Sequence, residues 1–188
     1  MARLLLQSIA CLLVFTLLTG VVYPVAVTGI AQLCCARAAG GSLITRGDHV
    51  LGSALLGQPF DQPQYFWSRP SATSPQPYDG LASGGSNLGP TNPAQFDAVR
   101  ARIAALHAAD PANTLPIPVD LVTASASGLD PDITPAAAQY QLLRVARARG
   151  LAPAQVARLI AAHTSLRTWG IFGEPRVNVL ELNLALDE

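Results

Sequence analysis

The chain has 188 residues, a length that predicts one domain with room for an appendage. Only 13% of the residues are charged and the formal net charge is zero, which argues against a nucleic-acid partner or an acidic membrane surface. All twelve basic residues are arginine, so functions that need a P-loop, Schiff-base or kinase-type lysine are excluded.

An uncharged stretch from Leu4 to Ala36 explains the low charge content. A helix crosses a bilayer core with about 20 mostly apolar residues, whereas a cleaved signal peptide has an apolar core of only about 7–15 residues. We therefore predict a retained membrane anchor, kinked at Pro24. Residues 1-36 would form the anchor and residues 37-188 the soluble domain. A short tail before a long domain favours an N-terminus inside the cell and a domain outside.

The three cysteines, Cys11, Cys34 and Cys35, all belong to the anchor or its edge. The domain that follows therefore has no disulfide and no cysteine-based metal site. Its three histidines are scattered along the sequence, so no metal site is predicted there.

The first part of the domain is irregular. Residues 40–57 predict a strand punctuated by glycine. Residues 58–95 are rich in proline and glycine and predict a long loop. The aromatic run Tyr65-Phe66-Trp67 within this loop predicts a buried, ordered segment.

The second part predicts regular elements. Asn92-Pro93 opens a helix to about His107, which Asp110-Pro111 ends, and the prolines of Leu115–Ala124 predict an extended segment. Thr134 and Pro135 begin a helix that continues over Ala136–Arg149 and ends at Gly150. Another helix is predicted over Pro153–His163, and the alternation of Val177–Leu186 predicts a strand. The fold class is α+β: a transmembrane helix followed by a small mixed α/β domain.

Two short motifs are candidates for binding or catalysis. Ser86 and Asn87 lie in a glycine-rich loop without the spacing of a Walker or dinucleotide-binding loop, so it predicts a tight surface loop that a partner could contact. Ser125 and Ser127 do not form a hydrolase elbow. A serine triad with one of the histidines remains open.

The helix that starts at Thr134 carries other candidates. Asp130 and Asp132 are expected to satisfy free N–H groups at the helix start and to complement its dipole. Gln141 and Arg144 share one helix face. That face predicts either a surface for a partner or an anion, or an ordinary solvated face.

The motifs in combination resemble a known family. RLLLQSIACLLVFTLLTGVVYP, GSALLGQPF, YFWSRPSA, ASGGSNLGPTNP, IPVDLVTASASGLDPDITPAAAQYQLLRVARARG and GEPRVNVLELNLALD follow one another in this order. This series is similar to the C subunit of the bacterial Kdp-type potassium-transporting P-type ATPase. The likeness extends over essentially the whole chain.

The resemblance implies an accessory, non-catalytic subunit of an inner-membrane complex for potassium uptake. Its partners would be a channel-like potassium-translocating subunit and a P-type ATPase subunit. The family is credited with assembly and with raising the ATP affinity of the ATPase subunit, a role that points to Gln141 and Arg144. No covalent cofactor is implied, and ATP would be bound through the complex. A domain outside the membrane would instead cover the ion entrance.

Two functions of other classes stay open. A membrane-anchored serine hydrolase would use Ser125 or Ser127 with His107 or His163. A free-standing anchored binding protein would purify without membrane subunits.

Overall fold

The computed structural model describes Met1–Glu188 and divides into two compact units, Met1–Leu51 and Gly52–Glu188. The predicted boundary between residues 36 and 37 concerns a different division, that between a membrane anchor and a soluble domain. It stays a prediction. The compact units divide farther along the chain, inside a strand.

The first unit is mainly one long apolar helix. Helices α1 (Ala2–Leu17) and α2 (Tyr23–Cys34) are joined by a π-helical turn, Leu18–Val22. The whole stretch has a mean hydropathy of 2.3, and it is the one helix in the chain long and apolar enough to cross a membrane. The π-helical turn ends two residues before Pro24, whose missing N–H and bulky ring are a common cause of such local irregularity.

The remaining elements of the first unit are short. Helix α3 (Ala36–Ala39) is followed by paired strands β1 (Leu43–Arg46) and β2 (His49–Ser53). The strand predicted within residues 40–57 is thus two strands. No helix or strand lies between Ser53 and Pro93, as the proline and glycine content predicts.

Helices and a small sheet form the second unit. Its helices are α4 (Pro93–Ala109), α5 (Pro135–Arg149), α6 (Pro153–Ala162) and α7 (Val179–Leu186). Its strands are β3 (Asp132–Ile133), β4 (Thr164–Ser165) and β5 (Arg176–Asn178), antiparallel in the order β3-β5-β4. The predicted extended segment contains one 3₁₀ turn, Val119–Leu121.

Local signals account for helix α5. The Thr134 hydroxyl accepts a hydrogen bond from the Ala137 N–H at 3.0 Å, and Pro135 occupies the first turn. Gly150 ends the helix with a φ of 66°, a left-handed conformation that glycine adopts without steric cost. The predicted bounds of this helix are confirmed.

The C-terminal strand prediction is wrong. Only Arg176–Asn178 is extended, and Val179–Leu186 is helix α7. The Asn178 side chain caps this helix by accepting from the Glu181 N–H at 3.1 Å. The alternating leucines suit a strand, but a capping residue followed three positions later by glutamate is a helix-start signal that was missed.

One hydrophobic core stabilises the second unit. The long loop contributes Phe66, which is fully buried, whereas Tyr65 and Trp67 are partly buried. The expected burial of the aromatic run is therefore confirmed for Phe66 alone. Helix α5 contributes the largest share of the core. The other buried members come from α4, α6, α7, the sheet, and the 3₁₀ turn with the residue after it: Leu106, Leu121, Val122, Ile133, Val156, Ile160, Val177, Val179, Leu182 and Leu186.

Candidate functional site

Gln141 lies inside the domain and is 1% exposed. Its side-chain carbonyl accepts from the Trp67 N–H at 2.8 Å, and its amide nitrogen donates to the Trp67 carbonyl at 3.2 Å. The amide also donates to the Ala137 carbonyl at 3.3 Å. These contacts satisfy the peptide unit of a loop residue in the manner of a strand partner.

Arg144 lies beside Gln141 and is 4% exposed. Its guanidinium donates to the Pro63 carbonyl at 2.7 Å, the Tyr65 carbonyl at 3.1 Å and the Gln141 side chain at 2.6 Å. It also stacks over the Trp67 ring at 4.6 Å. Burial lowers the pKa of Arg144 to about 10, so the group remains charged at neutral pH.

Asn183 completes this arrangement from helix α7. Its side chain accepts from the Phe66 N–H at 2.8 Å and donates to the Phe66 carbonyl at 3.0 Å. Sequence reasoning missed Asn183 because the strand prediction placed it on the polar outer face. We call Gln141, Arg144 and Asn183 the loop brace, because all three bind the backbone of residues 63–67.

The loop brace bears on two predictions for Gln141 and Arg144, an exposed helix face and contact with a nucleotide. Gln141 and Arg144 do not form a solvated or partner-facing surface, because both are buried and their polar atoms bind the domain's own backbone. Nor do they fit a nucleotide, since a triphosphate needs cationic donors that are free to turn toward it. A role of these residues in the complex stays a prediction.

The two short motifs are brought together. The Gly84 N–H donates to the Ser127 carbonyl at 2.8 Å, and the Ser83 hydroxyl donates to the same carbonyl at 3.1 Å. An added Cβ at Gly85 would lie 3.0 Å from the Ala126 carbonyl oxygen, so glycine permits this close approach. The glycine-rich loop and the serine turn form one hydrogen-bonded junction.

The serines of this junction are placed differently. Ser125 is 4% exposed, whereas Ser86, Asn87 and Ser127 lie at the surface. The Ser127 hydroxyl accepts from the Leu129 N–H at 3.1 Å.

The histidines proposed for a triad bind elsewhere or lie at the surface. The His163 ring contacts the Leu159 carbonyl at 2.9 Å, and His107 is exposed on α4. No serine–histidine hydrogen bond joins either histidine to Ser125 or Ser127, so the geometry does not favour the hydrolase.

Asp130 and Asp132 do not cap helix α5, contrary to expectation. Asp130 pairs with Arg69 at 2.8 Å, and Asp132 pairs with Arg176 at 3.0 Å. Asp120 instead accepts from the Thr134 N–H at 2.8 Å and is 6% exposed. No local sequence pattern identifies Asp120 as this partner. It precedes the helix by a whole loop and reaches the Thr134 N–H only in the folded domain.

These carboxylates line a cleft of about 260 Å³ beside β3 and the β4–β5 connection. Burial raises the pKa of the Asp132 carboxyl above its usual range, and Arg176 offsets this effect only in part. The ion pairs join the long loop, the start of α5 and β5. These ion pairs therefore stabilise the packing of three segments of the domain against one another.

Comparison with known proteins gives a consistent result along the whole chain. The family model "KdpC: K+-transporting ATPase, c chain" matches residues 5–188. The chain is 62% identical over 181 residues to the potassium-transporting ATPase KdpC subunit of Herpetosiphon aurantiacus, covering 96% of this chain and 94% of that protein. It is 59% identical over 187 residues to the corresponding subunit of Dechloromonas aromatica, covering 100% and 98% of the two chains. The corresponding values for Ralstonia nicotianae are 64% over 182 residues, 95% and 89%.

Proposed function

Because the chain belongs to the family of K+-transporting ATPase c chains, we propose that it is a non-catalytic accessory subunit. It assembles and stabilises a channel-like potassium-translocating subunit and a P-type ATPase subunit in the bacterial inner membrane. The observation that carries this proposal is the extent of the family match, residues 5–188, which includes both the apolar helix and the domain.

The apolar helix supports a role in assembly. It is the one candidate membrane span of the chain, and it would hold the domain at the membrane that contains the partners. Linking a domain to its target in this way raises the effective concentration of the domain without any new contact. A small interface with the partners then suffices.

The amino-acid composition supports a non-catalytic role. A P-type pump is phosphorylated at the aspartate of an Asp-Lys-Thr-Gly motif, and this chain contains no lysine. Phosphorylation therefore falls to the ATPase subunit.

We place the domain outside the membrane, near the ion entrance of the channel-like subunit. ATP is cytoplasmic, so an effect of this chain on the ATP affinity of the ATPase subunit would pass through contacts between subunits. The burial of Gln141 and Arg144 supports this indirect route over direct nucleotide contact.

Assembly is tested by expressing the complex with and without this chain. Without it, we expect the channel-like and ATPase subunits to separate in detergent and potassium-stimulated ATPase activity to be lost. An intact, active complex in its absence would contradict the proposal. Purification of the chain as a monomer without membrane subunits would support a free-standing binding protein instead.

Topology is tested with single cysteines at Ser86 and Ser127, which are both exposed, after replacement of the three native cysteines. A membrane-impermeant maleimide added to intact cells should label both positions. Labelling only after lysis would place the domain in the cytoplasm and reopen direct contact with ATP.

A further inference from the structure

The connection between β4 and β5 carries a cluster of exposed apolar side chains. Leu166, Trp169, Ile171 and Phe172 are 75%, 85%, 72% and 60% exposed. We call Leu166–Gly173 the aromatic tip. Soluble domains expose single apolar residues routinely, but contiguous clusters mark interaction sites.

The aromatic tip has a fixed backbone. The Thr168 N–H donates to the Phe172 carbonyl at 2.8 Å, and the Phe172 N–H donates to the Thr168 carbonyl at 3.0 Å. The Trp169 and Phe172 rings meet edge to face, with centroids 6.0 Å apart. Trp169 has a φ of 55°, an unfavourable conformation for a non-glycine residue. Residues held in such conformations cluster at functional sites.

Charge around the aromatic tip argues against a lipid surface. Arg167 pairs with Glu174 at 2.6 Å, and Arg176 pairs with Asp132 at 3.0 Å. Anionic bilayers attract clusters of unpaired arginine and lysine, whereas each nearby arginine here is neutralised by its own carboxylate. A neutral rim around an apolar centre suits the surface of a protein.

Area argues for a partner in the same membrane. An aromatic side chain buries roughly 150–250 Å², so the tip offers only a few hundred Å² against about 800 Å² per partner in a standard interface. The tip alone would not sustain a dimer of free chains. Attachment through the apolar helix would supply the missing affinity for a partner embedded in the same bilayer.

We infer that the aromatic tip inserts Trp169 and Phe172 into an apolar socket on another membrane-embedded subunit of the same ATPase. The socket offers a hydrogen-bond acceptor to the indole N–H, since a buried tryptophan N–H normally has a partner. This inference rests on the proposed accessory function and names the element through which the domain docks.

The first test is the double variant Trp169→Ser with Phe172→Ser, expressed with the whole complex and purified through a tag on this chain. We expect at least a tenfold loss of copurified subunits, as for the loss of interface hot spots. The matched control is Leu81→Ser, because Leu81 is 100% exposed but lies outside the tip. The control should copurify like the unsubstituted chain, and equal yields for the double variant and the control would overturn the inference.

The second test identifies the occupant. A photoreactive phenylalanine analogue at position 169 is activated in intact membranes that contain the complex. A crosslink to another ATPase subunit supports the inference, whereas crosslinks only to lipid or to a second copy of this chain overturn it.

Unchanged thermal unfolding of each variant excludes misfolding as the cause of lost binding.

The two proposals can fail separately. If the complex still needs this chain but the double variant assembles normally, the aromatic tip is not the docking element and the accessory function stands. If the complex assembles without this chain, the accessory function itself is wrong.

Discussion

At the scale of single residues, Arg144 illustrates how a charged side chain stabilises an irregular loop. Replacement by alanine would leave the Pro63 and Tyr65 carbonyls without their buried donor. We expect Arg144→Ala to lower the free energy of unfolding by about 3 kcal/mol or more, measured by chemical denaturation of the full chain in detergent.

The matched control for this substitution is Arg158→Ala. Arg158 is exposed on α6, and surface substitutions of this kind change stability by no more than about 0.5 kcal/mol. Similar losses for the two variants would mean that the guanidinium of Arg144 does not hold the loop.

Asp132 should make stability depend on pH. Its folded pKa is raised above the usual 3.8, chiefly by burial, so the folded chain holds this proton more tightly than the unfolded chain does. Its contribution to the free energy of unfolding is therefore fully present below the ordinary pKa of aspartate. The contribution falls as the pH rises and levels off above the raised pKa. Asp132→Asn removes this loss, so its free energy of unfolding relative to that of the unsubstituted chain should rise from about pH 3.5 to about pH 7. Denaturation of both chains at the two pH values provides the measurement.

Arg176 provides the complementary variant. Its guanidinium lowers the pKa of Asp132 and so opposes the effect of burial. Arg176→Gln should therefore strengthen the pH dependence that Asp132→Asn removes. An unchanged profile in both variants would show that Asp132 does not control this pH dependence.

The residue scale also shows why the candidate site was only partly predictable. The sequence singles out Gln141 and Arg144 as polar residues on one helix face, but it carries no sign that this face turns inward. Their long-range partners are backbone groups at positions 63–67, which for Gln141 are 74 residues away. Binding to backbone atoms leaves no side-chain pattern that a reader of the sequence could match to them.

At the scale of elements, α5 and α7 differ in how far local signals decide their structure. Helix α5 has a cap, a proline and a terminal glycine, and all three agree with its predicted bounds. In the tail, leucine alternation and the cap at Asn178 predict different structures. The helix prevails because it buries Val179, Leu182, Asn183 and Leu186 together against the core.

The leucines of α7 provide a test of this interpretation. Leu182 is fully buried and Leu184 is only half-buried, whereas a strand would place both on one face. Leu182→Ala should cost about 2–5 kcal/mol of stability, and Leu184→Ala less than half as much. Equal costs in denaturation experiments would favour the strand.

At the scale of the whole molecule, the two compact units could be foreseen only in outline. Charge and hydropathy predict an apolar helix followed by a polar domain, and the structure contains both. The path of residues 54–92 could not be foreseen, because hydrogen bonds to distant parts of the chain, from both side chains and backbone, hold it. Loops lack the periodicity that makes helices and strands readable.

The second unit should fold without the apolar helix, because its core includes no residue of the first unit. We expect a chain of residues 37–188 to unfold cooperatively, with a thermal midpoint within a few degrees of that of the full chain in detergent. Circular dichroism during heating provides the measurement. A broad, non-cooperative transition would show that the domain depends on the anchor.

The loop brace has a consequence for how the sequence can diverge. Gln141, Arg144 and Asn183 bind peptide groups between residues 63 and 67, and every residue type offers a carbonyl. Substitutions at the exposed Pro63 should therefore be tolerated. A single insertion or deletion there would shift each carbonyl away from its donor. The length of this loop is thus under stronger constraint than much of its composition, the reverse of the usual pattern for surface connections.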